Sequence, residues 1–304
     1  MRAPRFHGIR RVFLAVFLAL GAAGAACSSD FTPRSVLADL RVLAIQASPL
    51  EVGPGETVTL TPVRLAPPGK GATITDERWS FCPFSVGGTV GYACGVPACE
   101  VPLHSEGTPS GDPVLGVAVT ADPGALAQQC LAELAAQGGA PPSVPSQLPQ
   151  IIDTVFRYVA TASDGETREA VQLVPFYLDG APAVRNLPPV IQEVDIGGQE
   201  VSNGDTGPAL GPGVELEVRV RLDPASIQSY VDDAGRTIEE TLIVSFFTTV
   251  GRFDYDRASG PDARVKLKHD KIGANDSAAQ LWAVASDLRG GAAVAGPFTV
   301  PIQR

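Results

Sequence analysis

The sequence predicts an all-β chain in which one folding unit is used twice. Three observations lead there. Pro54-Gly55 and Pro212-Gly213 each open a run of alternating polar and apolar residues. Tyr158–Gly165 and Leu281–Asp287 each read as a strand running into a Ser-Asp turn. The 32 glycines and 27 prolines in 304 residues suit short strands joined by turns better than long helices.

In chain order, the first segment is an export signal. Arg2, Arg5, Arg10 and Arg11 make a basic start without an acidic residue, and Val12 to Ala26 is an unbroken run of apolar and small residues. That run of 15 residues falls short of the roughly 20 that a helix needs to cross a bilayer. The stretch Gly24-Ala25-Ala26-Cys27 resembles the lipobox of bacterial lipoproteins, departing from it at Gly24, where a larger apolar residue is usual. The resemblance implies cleavage before Cys27, fatty acyl chains on that cysteine, and outer-membrane sorting because Ser28 stands where an aspartate would retain the protein at the inner membrane. Ordinary signal cleavage after Ala25 or Ala26 is the alternative. Residues 1–26 are thus expected to be the signal and 27–39 a lipidated linker.

The first unit is expected over 40–182. Leu40 to Ala47 is extended, and after Pro54-Gly55 the residues Val58 and Leu60 share one face of a strand, since side chains alternate with period two. Arg78 to Cys82 is a middle strand, and Tyr158–Gly165 followed by Ala170–Phe176 is a hairpin. The second unit, 183–304, repeats the plan. Pro189 to Ile196 is extended, and Val214, Leu216, Val218 and Val220 face one side while Glu215, Glu217, Arg219 and Arg221 face the other. Leu242–Thr248 is the middle strand, and Leu281–Asp287 with Ala293–Ile302 is the hairpin. Ala183 to Pro189 is the junction, stiffened by Pro188-Pro189.

Pro54 to Pro212 spans 158 residues but Asp164 to Asp287 only 123, so the first unit carries an excess of 35, expected around 83–150. Within it, Asp122-Pro123 caps a short helix closed by Gly138-Gly139, with Leu126, Cys130, Leu131 and Leu134 on one face. Ala140 to Pro149 is a stiff, proline-rich connector.

The two units resemble the immunoglobulin-like β-sandwich domains of bacterial surface and periplasmic lipoproteins. The resemblance covers most of residues 40–304 at the level of pattern, and Trp79 near Cys82 is similar to the core tryptophan and cysteine of antibody-type domains. It implies two tandem sandwiches, the first elaborated by a cysteine-rich insertion with a short helix.

Five cysteines are odd in number, but lipid on Cys27 would leave Cys82, Cys94, Cys99 and Cys130, two disulfides of open pairing in an oxidising compartment. A metal site of Cys82, Cys94 and Cys99 with Cys130 or His104 is the rival, weakened by the absence of any Cys-x-x-Cys knuckle. Without the signal the chain has 19 basic and 33 acidic residues, which argues against nucleic-acid partners and against docking on anionic headgroups.

Catalytic signatures are missing. His7 leaves with the signal, while His104 and His269 lie in different halves with no Gly-x-Ser-x-Gly nearby. There is no phosphate loop, no His-Glu-x-x-His and no dinucleotide fingerprint. Asp232-Asp233, Glu239-Glu240 and Asp254 with Asp256 read as solvated turns or strand edges rather than a glycosidase pair. Asp254, Asp256 and Asp205 have the oxygen chemistry of a calcium site but no supporting motif. Phe246, Phe247, Phe253 and Tyr255 are candidates for a ligand face, but Phe246 and Phe247 read more simply as core and opposite-face strand residues, and Lys266, Lys268, His269 and Lys271 as a solvated edge that discourages strand pairing.

The expected function is non-catalytic, without cofactor or metal: a structural, adhesive or assembly-accessory module of the cell envelope, held to the membrane through Cys27 and meeting envelope proteins. The alternative is a ligand-binding lipoprotein, for carbohydrate among others, whose pocket lies near Trp79, Tyr92 and the insertion.

Overall fold

The computed structural model describes residues 33–66, 71–103, 114–136, 150–231 and 234–304. The first half contains β1 (Arg41–Ser48), β2 (Val58–Leu65), β3 (Ile74–Cys82), β4 (Val101–Leu103), β5 (Val119–Ala121), α1 (Pro123–Ala136), β6 (Ile151–Ala162) and β7 (Thr167–Tyr177). The second half contains β8 (Ile191–Ile196), β9 (Gln199–Val201), β10 (Glu215–Leu222), β11 (Ser229–Val231), β12 (Thr237–Glu239), β13 (Ile243–Thr248), β14 (Arg252–Phe253), β15 (Arg257–Ser259), β16 (Asp262–Lys268), β17 (Ala278–Ser286) and β18 (Ala292–Pro301).

Two β-sandwiches result, each an opposed pair of sheets. The first pairs β1-β2-β5 with β4-β3-β6-β7, and the second pairs β14-β16-β10-β8-β9 with β15-β13-β17-β18, while β11 and β12 form a separate hairpin. The trio β1-β2-β5 corresponds to β8-β10-β16, and β3-β6-β7 to β13-β17-β18. Both trios follow the chain order and sheet division of an immunoglobulin-like sandwich. The opening turns match as well. Gly53-Pro54-Gly55-Glu56 and Gly211-Pro212-Gly213-Val214 each close with an i+3 to i backbone bond, and Gly55 and Gly213 have φ of 76° and 72°. Proline at the second and a left-handed glycine at the third position define this turn.

The alternation of the strands delivers the cores. Val58, Leu60, Phe81, Phe156, Tyr158 and Val174 are buried in the first sandwich, and Ile196, Val220, Val244, Phe246, Leu281 and Phe298 in the second. Trp79 lies in the first core, its indole donating to the Val117 carbonyl at 2.9 Å and its ring 4.9 Å from that of Tyr158. Cys82 bonds within its own loop rather than across the sheets, which separates this sandwich from the antibody pattern. A buried ion pair also crosses the first core: the Arg64 Nε and Nη2 donate to the two Glu77 carboxylate oxygens at 3.3 Å, the Val117 amide donates to Oε1 at 3.2 Å, and the Tyr158 hydroxyl donates to the same oxygen. Full hydrogen bonding is what allows that carboxylate to be buried.

Residues 34–304 form one compact unit. A third apolar cluster joins the sandwiches: Leu37 and Leu65, with Leu43, pack on Trp282, Phe247 and Val294 of the second sandwich. The segment before β1 contributes to it, because the Leu37 amide donates to the Thr248 carbonyl and the Thr248 amide to the Ser35 carbonyl, both at 2.8 Å. Beside the cluster lies a polar junction. The Asn186 amide donates to Glu51 at 2.8 Å, its side chain to Asp287 at 2.9 Å, and Arg289 reaches Glu240 at 2.6 Å and Glu51 at 3.5 Å while lying 4.4 Å over the Tyr230 ring. The link between the halves is therefore held by Arg185 and Asn186, the former bonding the Glu51 carbonyl and Glu56, as well as by its prolines.

Several expectations change here. The excess of the first half is interrupted: Val119–Ala121 lies between Cys82 and α1 yet completes the β1-β2-β5 sheet, with Leu60 opposite Val119. Glu240 is no solvated edge residue, its side chain being fully buried against Arg289. Lys266 and Lys268 do not sit on an edge strand either. β16 lies between β14 and β10, and both lysines pair with Glu215 of β10, at 3.2 and 3.1 Å.

Candidate functional site

The site grows from a proline. β3 and β6 pair in register up to Cys82 opposite Val155, but β6 starts four residues earlier, at Ile151. Pro83 follows Cys82, and a residue without an amide hydrogen cannot continue the ladder. The chain turns away, held by a Cys82–Cys94 disulfide with Cα atoms 5.7 Å apart. The loop it closes is a small hairpin: the Gly95 amide donates to the Phe84 carbonyl at 2.7 Å and Val86 to Ala93 at 3.0 Å. Tyr92 sits at its tip with φ of 56°, an unusual conformation for a bulky residue. Its amide donates to the Gly87 carbonyl at 3.0 Å, and its carbonyl accepts from Arg157 of β6 at 3.2 Å.

The third wall is α1. The sequence places its cap correctly: Asp122 Oδ1 accepts the Ala125 amide at 3.0 Å. Cys130 is buried in a disulfide to Cys99, Cα atoms 5.1 Å apart, which ties the helix to the chain before β4. Gly124 lets the helix start press on β7, since a Cβ there would stand 2.9 Å from the Phe176 ring. The predicted apolar face divides. Leu126 packs against the first core and Cys130 is buried, but Leu131 is exposed.

Between these walls lies a cleft of about 950 Å³. Phe84 and Tyr92 line one side, Ala127 and Leu131 of α1 another, and Ile151 and Ile152 of β6 the floor, with Phe176 beneath. Among the described residues, the charged ones in its lining are Asp122, engaged in the helix cap, and Asp153. Asp153 is exposed and makes no hydrogen bond or ion pair among the described residues. Of the residues named for a pocket, Tyr92 lines this cleft, whereas Trp79 does not and is buried in the core. The sequence carried the signal for the cleft in Cys82-Pro83, a strand end followed at once by a residue that cannot pair.

The remaining candidates disperse. Cys27, His104 and Asp232-Asp233 lie outside the described residues. The ring of His269 contacts the Gln303 carbonyl at 3.2 Å. Asp254 Oδ1 accepts the amides of Tyr255 and Lys266, and Asp205 Oδ2 accepts that of Ser202, so both carboxylates hold turns. Phe246 and Phe253 are core residues with rings 5.8 Å apart, Phe247 packs between the sandwiches, and Tyr255 is 71 % exposed. Among the described residues no helix is long and apolar enough to cross a membrane.

No family model and no curated protein matches the chain. Among solved structures it is similar to the fibronectin(III)-like modules of CbhA from Clostridium thermocellum, at 11 % identity over 87 % of this chain and 94 % of that one, with a TM-score of 0.25. It is also similar to the D00-D0 domain of intimin, at 12 % identity over 88 % and 99 % of the chains and a TM-score of 0.24. A third is murine CEACAM1b, at 8 % identity over 87 % and 99 % with a TM-score of 0.22. The fold assignment rests on the strand pairing itself. The two disulfides suggest an exported protein, since such bonds persist in oxidising compartments.

Proposed function

We propose that this chain is a non-catalytic lipoprotein of the cell envelope, anchored in the outer membrane through lipid on Cys27, that displays two sandwiches as one rigid module to envelope protein partners. The observation that carries the reading is the junction. An apolar cluster and a buried polar network unite the sandwiches, and Ser35 and Leu37, eight and ten residues after Cys27, are bonded to the second sandwich. A display module benefits from such stiffness, because a fixed pair presents its loops in one orientation. The domain boundaries read from the sequence, 40–182 and 183–304, belong to the same proposal.

Fractionation tests it. The native chain should partition with membranes and need detergent for release, while Cys27→Ser should appear in the soluble fraction. Identical partition of the two would overturn the anchoring.

The cleft favours the second reading, a ligand-binding module that uses the elaborated loop region. Its volume lies within the roughly 300–1,000 Å³ of small-molecule sites. Phe84, Tyr92, Leu131 and Ile151 give it apolar walls that suit an apolar occupant.

A further inference from the structure

We propose that the cleft takes an extended apolar peptide segment of a protein partner, laid along Ile151–Thr154 with a basic side chain at Asp153. The proposal rests on the reading of the chain as a protein-binding display module and names the surface that does the binding.

Three observations converge on this occupant. The first is a strand flank left open among the described residues. Ile151–Thr154 pair with β7 on one side, Ile151 opposite Tyr177 and Thr154 opposite Val174, but β3 stops at Val155 on the other. Across the gap, Pro83 to Ser85 form the far wall of the cleft instead of a ladder. Four residues at about 3.4 Å each offer the length over which strand addition recognises a peptide.

The second is the lining. Phe84, Tyr92, Leu131 and Ile151 supply apolar contacts on more than one side of that flank, and Leu131 and Ile151 are large hydrophobic residues left exposed. Alternate side chains of an added strand point to opposite sides, so walls on both sides are what such a ligand needs.

The third is charge. Among the described residues no lysine, arginine or histidine lines the cleft, so they offer no cation to a phosphate, a nucleotide or a fatty-acid carboxylate. The first turn of α1 lines the site, but its own Asp122 carboxylate already caps that turn. Asp153 is left as an exposed anion at the rim of a chain whose formal net charge is −10. A lysine or arginine on the partner complements it.

The test uses the mature full chain and a short fluorescein-labelled peptide alternating valine with lysine, beside a twin with glutamate in place of lysine. Fluorescence polarisation should show the lysine peptide binding about tenfold tighter than its twin. Asp153→Lys, at an exposed position, should invert that order, and Ala127→Trp should weaken both peptides by filling the cleft. Hydrogen exchange should slow at the Ile151 and Asp153 amides, which point to the open flank because Tyr177 and Pro175 opposite them bond Val52 instead, when the lysine peptide is bound. Equal affinity for the twins, no binding of either, or binding without that protection would overturn the proposal. So would octylamine occupying the cleft when neither peptide does, which would make it a small-molecule site. A membrane-anchored chain that ignores the peptide loses this inference alone. A chain that binds the peptide but is not anchored keeps it and loses the anchoring.

Discussion

The side chain of Asn186, in the link between the sandwiches, donates to the Asp287 carboxylate at 2.9 Å, and the two residues are 4 % and 2 % exposed. The other carboxylate oxygen accepts the Arg289 and Gly291 amides at 2.7 and 2.9 Å. Asn186→Ala removes one partner of a buried charge and should cost about 1.5–3 kcal/mol. Urea unfolding measures the loss. The comparison is Arg264→Ala on the exposed Asp262 pair, expected to cost about 0–1 kcal/mol. Equal effects would mean that the junction is not the load that holds the pair.

The same junction predicts an alkaline limit. Burial first, and then the Glu51 charge, pushes the Tyr177 phenol from 10.0 up to about 12. Its neutral form is favoured in the folded chain. Its contribution is therefore complete below pH 10.0 and is lost as pH rises through about 12. The stability difference between the native chain and Tyr177→Phe, followed by denaturant midpoints, should shrink across that window and stay level below it. On the acid side, Arg264 and then Arg219 hold the Asp262 carboxyl well below its ordinary 3.8. That contribution is present above 3.8 and fades as pH falls, and added salt should weaken it because the group is exposed.

Gly116 guards the buried ion pair of the first core. A Cβ there would stand 2.3 Å from Glu77 Oε1, the oxygen that accepts from Arg64, Val117 and Tyr158. Gly116→Ala should displace that carboxylate and cost about 1–3 kcal/mol, read as a lower denaturant midpoint. An unchanged midpoint would show that the carboxylate has room to move.

The Cys99–Cys130 bond should matter most to α1. The helix buries Pro123, Gly124 and Cys130 but leaves most of its length exposed, so packing alone holds it weakly. Replacing both cysteines by serine should cost about 2–4 kcal/mol. It should also raise amide exchange across Pro123–Ala136 well above that of β6, and empty the cleft of its third wall.

How much of this was legible in the sequence depends on how far each residue's partners lie. The paired Pro-Gly turns, the alternating strands and the Asp122 cap are local and appear where the residues put them. The repeat misled where its copies diverge in context. Asp164 and Asp287 occupy matching Ser-Asp turns, yet Asp164 is exposed and holds only the Glu166 amide, whereas Asp287 is buried against the link. Glu240 looked like one of two solvated acids because Arg289, its partner, is 49 residues away. Val119–Ala121 is too short for periodicity to reveal. The cleft combines both cases. Tyr92 and the helix were visible, but the open flank of β6 follows from where β3 ends, which only pairing defines.

The most direct test of the account is the intact mass of the chain extracted from membranes, before and after reduction. The chain should start at Cys27, carry acyl adducts, and gain four hydrogens when its two disulfides are reduced. An unacylated chain with another start would contradict the anchor, and a mass unchanged by reduction would contradict the disulfides that shape the cleft.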